Sequence, residues 1–337
     1  MSDPLYSLNI KKGGGFTLSV QTPDSVSEFS LSVDQAKILN RRLVQHLAEQ
    51  DRVSNKKKLS DYLDRLMVTV PSAEVWVGAH KKERLALSIE KPSFQVVQPQ
   101  ELLMSSIPVT QQLYQWVCKT NPSLFLGAMR PVERVSWFEA VRFCNSLSKL
   151  LDLEPVYEIK EDQVWWHVER DGFRLPTEAE WEIALALGSP KGGERSLQRE
   201  DLETSSESEV SFLEHSGSDA LTQIQGQKLD AEELSQYAYF AQYGKGTKGV
   251  ASLKPNQLGI YDMLGNVWEW CWDWFGSYTP IPKIAPKGPE KGTTKICRGG
   301  AWNRDVWFLR STCRYAERPY ARTSNIGFRI VRSKNDS

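Results

Sequence analysis

The sequence predicts an α+β protein, from one strand pattern and two helix starts. Tryptophan occupies alternate positions along one stretch, at Trp268, Trp270, Trp272 and Trp274. A spacing of two residues is the side-chain period of a β-strand, so the four rings should project from one face. Ser136 and Thr177 are each followed three residues later by a glutamate, which forms the capping box that starts an α-helix. We therefore expect helices to begin directly after Ser136 and Thr177.

The composition argues against several classes of protein. The chain of 337 residues has 42 basic and 42 acidic side chains and a formal net charge of zero, so no overall field draws it to nucleic acid or to a membrane surface. Five cysteines at irregular spacing predict neither a disulfide framework nor a zinc site. No run of about 18 apolar residues is long enough to span a membrane. The amino terminus lacks the apolar core of a leader peptide, so we expect none in this chain.

Five sequence motifs follow one another between residues 100 and 333. They are Pro131–Trp137, Phe173–Glu182, Gly265–Trp270, Arg298–Trp302 and Ile326–Arg329. Their residues and spacing resemble the formylglycine-generating-enzyme, or sulfatase-modifying factor, domain. The resemblance implies a variant of the C-type lectin-like fold over residues 93–337. Residues 188–235 are rich in Gly, Ser, Glu and Asp, interrupt this pattern and predict a surface insertion.

Residues 1–92 precede the motifs. Apolar residues recur there at helical spacing in some stretches and at strand spacing in others. No pattern typical of a catalytic or metal site is present in this region. We predict a small α+β unit of unknown role, with a spacer, an anchor and an oligomerisation element as open alternatives.

The turn before the tryptophan strand is the best candidate for a metal site. Asp262, Gly265 and Asn266 favour a turn that gathers oxygen atoms, and calcium prefers carboxylate and carbonyl oxygens on a tight turn. The resemblance implies calcium ligands at Asp262, at the carbonyl groups of Gly265 and Val267, and at the Glu269 carboxylate. We expect a calcium ion there. The alternative is a metal-free turn in which Glu269 pairs with an arginine.

Oxidase chemistry would require two cysteines after the Arg-Gly-Gly motif. Formylglycine-generating oxidases bind copper through these thiolates and activate oxygen against a substrate cysteine. The resemblance places the two positions at Arg304 and Leu309, and neither side chain supplies the soft thiolate that Cu(I) requires. Cys313 is a lone cysteine nearby. We therefore expect no copper, no catalytic residue and no enzymatic activity.

Residues 298–329 are the candidate variable, ligand-binding segment. Aromatic residues and arginines are frequent in this segment, and these residue types dominate binding hot spots. The alternative is a structural strand with ordinary polar residues on its surface. The segment resembles the carboxy-terminal variable region of diversity-generating-retroelement variable proteins, most of all the treponemal ones. In those proteins surface positions are diversified on a fixed scaffold.

This second resemblance divides the segment into two sets of residues. It implies a scaffold set of Trp302, Arg310, Ser311, Arg314 and Pro319. It implies a ligand-facing set of Arg304, Asp305, Trp307, Phe308, Cys313, Tyr315, Glu317, Arg318, Tyr320 and Ala321.

We interpret the chain as a non-catalytic binding protein that presents this segment to a macromolecular ligand, expected to be a protein. Two alternatives stay open, a divergent oxidase acting on a substrate cysteine and a carbohydrate-binding lectin. The lectin ranks lower because the Glu-Pro-Asn and Gln-Pro-Asp calcium-sugar motifs are absent. The resemblance implies display at the cell surface, with a cytoplasmic location as the alternative.

Overall fold

The computed structural model describes residues 5–10, 16–22, 25–188, 222–224, 227–229 and 234–334. The chain divides into two compact units, Met1–Asp61 and Tyr62–Ser337. Within the described residues, no helix combines the length and the apolar character that a membrane crossing needs. Most of the predicted insertion, residues 188–235, lies outside the described residues.

The first unit consists of an antiparallel sheet followed by a long helix. Its strands are β1 (Leu5–Ile10), β2 (Phe16–Thr22) and β3 (Ser25–Leu31), in the order β1-β2-β3. Helix α1 spans Val33–Leu66 and continues past the end of the unit. The Gln35 amide donates to the Ser32 hydroxyl at 3.2 Å, and the Ser32 amide donates to the Gln35 side chain at 2.9 Å. This reciprocal cap starts the helix because it satisfies two amides that lack helical partners.

The division between the units differs from the predicted boundary between residues 92 and 93. Strand β4 (Met67–Val70) pairs with a strand at Leu102–Ser105, and β5 (Ala73–Val77) pairs with β6 (Phe94–Gln98). Strands from before residue 93 therefore complete sheets of the second unit. The sequence motifs start only after these strands, so the resemblance did not include them.

In its described residues the second unit contains the other strands and three complete α-helices. The helices are α2 (Gln111–Cys118), α3 (Trp137–Leu150) and α4 (Glu178–Leu187). The remaining strands are β7 (Leu102–Ser105), β8 (Tyr157–Lys160), β9 (Gln163–Trp166), β10 (Thr222–Ile224), β11 (Gln227–Leu229), β12 (Trp268–Trp274), β13 (Lys283–Ile284), β14 (Lys295–Arg298), β15 (Arg314–Glu317), β16 (Ile326–Gly327) and β17 (Val331–Ser333). They form the sheets β15-β14-β12-β16, β13-β6-β5 and β17-β7-β4 and the hairpins β8-β9 and β10-β11. Helix α4 contacts β5, β12 and β14 and lies in the hydrophobic core.

Both predicted helix starts are confirmed. Helix α3 begins with a capping box between Ser136 and Glu139, and α4 begins with one between Thr177 and Glu180. The amide of Glu180 donates to the Thr177 hydroxyl at 3.1 Å, and the Thr177 amide donates to the Glu180 carboxylate at 2.8 Å. These caps orient both helices so that their first turns bury a tryptophan in the core.

The predicted tryptophan strand is β12, which lies between β14 and β16. Trp268 and Trp270 are fully buried, but so are Glu269 and Cys271 on the opposite face. The alternation of tryptophan along β12 therefore does not separate a solvent-exposed face from a buried face. Helix α4 covers the second face, where the Trp181 indole donates to the Glu269 carboxylate at 2.7 Å.

Candidate ligand-binding surface

The candidate segment leaves the central sheet at the Arg-Gly-Gly motif. Strand β14 ends at Arg298, and Gly299 and Gly300 follow with φ angles of +99° and +81°. A Cβ atom on Gly299 would lie 2.7 Å from the Met263 carbonyl oxygen. Only glycine tolerates both the left-handed backbone and this close approach. The chain thus turns out of the sheet and returns as the edge strand β15.

Arg310 fixes the middle of this excursion to another part of the chain. Its guanidinium donates to the two carboxylate oxygens of Glu90 at 2.5 and 2.6 Å. The Thr312 hydroxyl donates to the same carboxylate at 2.8 Å. All three side chains are buried. Because a buried charge needs a hydrogen-bonded partner of opposite charge, Glu90 determines where this part of the segment lies.

Two further buried arginines fix the ends of the excursion. Arg314, the first residue of β15, donates from Nε and Nη2 to the Glu178 carboxylate at 2.7 and 2.8 Å. Arg298 forms an ion pair with Glu182 and donates to the Ser311 carbonyl at 2.9 Å. These bidentate and backbone contacts hold both ends rigidly against α4.

Arg310 and Arg314 were predicted as scaffold residues, but the glutamates that pair with the buried arginines were not predicted. Glu178 and Glu182 lie four residues apart on α4 and therefore share one face of a helix that is buried along most of its length. Carboxylates in that position require buried cations, a signal that could have identified them. Glu90 follows no motif, and its position in the chain carries no comparable signal.

The predicted scaffold residues all lie inside the protein. Trp302, Arg310, Ser311, Arg314 and Pro319 are buried. The Trp302 indole donates to the Ser324 carbonyl at 3.1 Å and so ties the start of the segment to its end.

The predicted ligand-facing residues reach the surface, with one exception. Exposed side chains belong to Asp305, Trp307, Arg318 and Tyr320, and half-buried ones to Arg304, Phe308, Tyr315, Glu317 and Ala321. The exception is Cys313, which is 2% exposed. Arg310 and Cys313 are the first and last residues of a tight turn, in which the Cys313 amide donates to the Arg310 carbonyl at 2.9 Å. That turn directs Cys313 inward, and we correct its assignment to the buried set.

A group of rings and one guanidinium forms the floor of the surface. Tyr315 stacks on the buried Trp268 with ring centroids 5.1 Å apart. The Arg304 guanidinium lies 5.4 Å from the Phe308 centroid and 5.9 Å from the Tyr315 centroid. Burial and a hydrogen bond to Glu317 raise the pKa of Tyr315 to about 12. The floor is therefore aromatic, with an uncharged Tyr315 at neutral pH and one guanidinium over its rings.

Three exposed residues of the segment, Asp305, Tyr320 and Trp307, each have a different setting. The Tyr243 hydroxyl donates to Asp305 at 2.6 Å, so a residue outside the segment contributes to the surface. Tyr320 packs on Phe138 of α3 with centroids 4.7 Å apart. Trp307, in a short 3-10 helix over Val306–Leu309, is 47% exposed. Aromatic and charged groups at these positions offer large contact area with little conformational entropy to lose.

The turn at 262–269 was predicted to hold calcium through Asp262, Gly265, Val267 and Glu269. Glu269 is fully buried, and its two oxygens accept from Arg329 Nε at 2.5 Å and Nη2 at 2.7 Å. Arg329 neutralises the carboxylate, so a calcium ion bound here would have to compete with this arginine for Glu269. The calcium site stays a prediction. The geometry favours the alternative in which Glu269 pairs with an arginine. Among the described residues, no three His, Cys, Asp or Glu side chains gather closely enough to hold a metal.

All five cysteines are free thiols in unfavourable surroundings for ionisation. Burial raises the pKa of Cys313 to about 11. It also raises the pKa of Cys271 and Cys297 well above the ordinary value, and that of Cys118 and Cys144 above it. At neutral pH these groups are protonated, whereas nucleophilic attack and copper binding need the thiolate.

The two capped helices, the tryptophan-rich central strand and the excursion after the Arg-Gly-Gly turn define a C-type lectin-like fold of the formylglycine-generating-enzyme type. The family model described as sulfatase-modifying factor enzyme 1-like domain matches residues 53–334. The chain belongs to this family.

Three similar proteins illustrate the range of the family. Chaperone protein LppX of Paenibacillus barcinonensis is 35% identical over 214 residues, which cover 59% of this chain and 68% of that protein. The formylglycine-generating enzyme of Thermomonospora curvata is 30% identical over 190 residues, or 52% of this chain and 55% of that enzyme. The solved structure of Treponema denticola variable protein 1 superposes with a TM-score of 0.62 at 29% identity, covering 80% of this chain and 95% of the other.

The names of these three proteins describe different kinds of protein. The chain spans about half the length of the formylglycine-generating enzyme that it matches, whereas it spans nearly all of the variable protein. Family membership therefore leaves both a binding role and a catalytic role open, and the residues of the site have to distinguish them.

Proposed function

We propose that the chain is a non-catalytic binding protein that presents the outward-facing residues of segment 298–329 to a protein ligand. The observation that carries this proposal is the separation of the segment into two layers. Arg298, Arg310 and Arg314 are buried and paired with carboxylates, while aromatic and charged side chains between them face outward. A rigid support beneath an aromatic and charged layer is the arrangement of a preorganised binding site.

The chemistry of the segment supports a non-catalytic role. Arg304 and Leu309 occupy the positions that the family resemblance assigns to the oxidase cysteines. Leu309 is fully buried in the hydrophobic core, and Arg304 lies over two aromatic rings. Neither side chain can ligate Cu(I), and the nearby Cys313 is buried and protonated at neutral pH.

We further propose that the outward-facing positions are diversified, as the resemblance to retroelement variable proteins implies. Substitutions at exposed positions leave the buried ion pairs intact, so the scaffold would tolerate them. Sequencing the gene and its downstream repeat from several isolates tests this idea. Codons for the outward-facing residues should differ among isolates while those for Arg310 and Arg314 do not, and identical codons across 303–325 would argue against diversification.

Panning a displayed library of protein domains against the immobilised full chain tests the binding function. Enriched clones should bind the unmodified protein and lose at least about tenfold in affinity against Trp307→Ala or Tyr320→Ala, because exposed aromatic residues dominate hot spots. Leu124→Ser is the matched control, since Leu124 is 55% exposed on a different loop. Clones that bind all three variants equally would remove the proposed surface from consideration.

An oxidase acting on a substrate cysteine is the second candidate, favoured by the 30% identity to a formylglycine-generating enzyme. Incubating the protein with Cu(I), oxygen and a cysteine-containing peptide distinguishes the two roles. We expect no conversion of the peptide cysteine to an aldehyde by mass spectrometry. Turnover that is lost on Cys313→Ser would reverse the order of the two proposals.

Display at the cell surface fits a protein that meets outside ligands, and we propose it with a cytoplasmic location as the alternative. Protease treatment of intact cells, followed by immunodetection of the chain, separates the two locations.

A further inference from the structure

A loop outside the ligand-binding segment projects a group of aliphatic side chains. The 79–91 loop connects β5 to β6, and its base is closed where the Ala79 amide donates to the Glu90 carbonyl at 2.8 Å. Leu85, Leu87 and Ile89 are 42%, 55% and 37% exposed. Three large aliphatic residues exposed within five positions of one short loop concentrate apolar surface there, unlike single exposed residues, which are ordinary.

The same loop is positively charged on its outside. Lys81, Lys82 and Arg84 are exposed. The acidic residues of the loop are Glu83, which is half-buried, and Glu90, which is buried against Arg310. The exposed charges of the loop are therefore all positive, although the whole chain has no net charge.

Several internal bonds hold the loop in one conformation. The Lys91 ammonium donates to the Glu83 carbonyl at 2.6 Å and to the Lys81 carbonyl at 3.4 Å. Ala86, in the middle of the loop, has its side chain buried. Glu90 accepts from the buried Arg310. A loop that is already ordered loses little conformational entropy when it meets a partner.

We propose that the 79–91 loop docks the protein on a lipid bilayer that carries anionic headgroups. The three aliphatic side chains enter the boundary between headgroups and acyl chains. Lys81, Lys82 and Arg84 contact the lipid phosphates. Apolar residues bordered by lysine and arginine are typical of membrane-surface segments. Protein interfaces, by contrast, are depleted in lysine and favour aromatic residues, which is why the bilayer is the occupant favoured here.

Vesicle sedimentation with the full chain tests the proposal. The probes are vesicles of phosphatidylcholine alone and vesicles of phosphatidylcholine and phosphatidylglycerol in equal parts. The protein should bind the mixed vesicles, and raising the salt from about 0.1 M to about 1 M should release it because salt screens the charges. Lys81→Gln with Lys82→Gln should lower the partition coefficient roughly 30-fold. Leu87→Ser should lower it about tenfold.

Matched controls separate this loop from general surface charge and apolarity. Lys57→Gln with Lys58→Gln removes two other adjacent, exposed lysines, and Leu124→Ser removes another leucine that is 55% exposed. Both controls should bind like the unmodified chain, and circular dichroism should show all variants folded. Failure to bind mixed vesicles, or equal losses in the controls, would overturn the proposal. In either case library panning on segment 298–329 is unaffected, so the two proposals fail independently.

Discussion

The arginines of segment 298–329 fall into two groups that differ in burial and not in residue type. Arg298, Arg310 and Arg314 are buried, and each contacts a glutamate carboxylate. Arg318, four residues beyond Arg314, is exposed, and its guanidinium has no carboxylate partner among the described residues. A guanidinium removed from water needs a carboxylate to compensate its charge, whereas an exposed one is already solvated. Whether an arginine of this segment supports the scaffold or faces solvent thus depends on whether a buried glutamate pairs with it.

The difference teaches that the outward-facing surface depends on a network of buried charges below it. The partners Glu90, Glu178 and Glu182 come from distant parts of the chain. Because each pair joins two elements, the network fixes the position of the segment without using its outward-facing side chains. Those side chains can then change without changing the fold.

Glu90→Gln should have the largest effect. The variant leaves Arg310 buried without a counter-charge, which costs about 3–5 kcal/mol of the free energy of unfolding. Urea unfolding at neutral pH measures this loss. The double variant Glu90→Gln with Arg310→Met removes both charges and should recover part of the stability. Arg318→Gln is the surface counterpart and should change the free energy of unfolding by no more than about 0.5 kcal/mol. Similar losses in the two single variants would remove the distinction between the groups.

Asp273 is a buried carboxylate without an arginine partner among the described residues. It therefore shows what burial does to a charged group that lacks such a pair. Burial, followed by the nearby charge of Glu178, raises its pKa from 3.8 to about 7. In the window between these values the folded protein binds more protons than the unfolded chain. The stability contributed by this group is therefore present at low pH and lost as the pH rises towards 7.

Asp273→Asn should remove that pH dependence. Between pH 5 and pH 7 the unmodified protein should lose roughly 2–3 kcal/mol more stability than the variant, since one pKa unit corresponds to about 1.4 kcal/mol. Urea midpoints measured across this range provide the test. The variant keeps an oxygen that can accept from the Glu178 amide, which lies 2.8 Å from Asp273. Parallel pH profiles for the two proteins would show that Asp273 titrates near its ordinary value.

Tyr315→Ala tests the boundary between the two layers. Tyr315 is half-buried and stacks on Trp268, so its loss should lower the free energy of unfolding by about 1–2 kcal/mol. That loss of stability lies between those expected for Glu90→Gln and for Arg318→Gln. Thermal unfolding measures it, and Tyr315→Phe, which keeps the ring, should lose less than half as much. A loss as large as that of Glu90→Gln would assign Tyr315 to the scaffold and not to the ligand-facing set.

The sequence predicted local elements better than long-range partners. Capping boxes and the tryptophan period act over a few residues, and α3, α4 and β12 have the predicted positions. The pairs Arg310–Glu90 and Arg329–Glu269 join residues far apart in the chain. No local pattern specifies which of many glutamates pairs with a given arginine, so these contacts could not be read from one sequence.

Two errors have the same physical origin. Cys313 was assigned to the surface by its position in the segment, yet the turn after Arg310 directs it inward. The boundary between residues 92 and 93 followed the start of the motifs, whereas β4 and β5 pair with later strands. Both depend on how the chain returns upon itself, which is a property of the tertiary structure and not of a motif.

The smallest effect is expected from calcium. Glu269 is paired with Arg329, as Glu90 is with Arg310, so we expect Tm to be the same in EDTA and in excess calcium. A genuine site would raise the stability by about 4 kcal/mol at a thousandfold excess of ion over Kd, a change that thermal unfolding detects easily. Asp262→Asn serves as the control, because Asp262 is the other predicted carboxylate ligand and forms no ion pair with an arginine in the part of the chain that the structure describes. A calcium-dependent rise in Tm that Asp262→Asn abolishes would restore the calcium site, and Arg329 would then have to give up Glu269 when the ion binds.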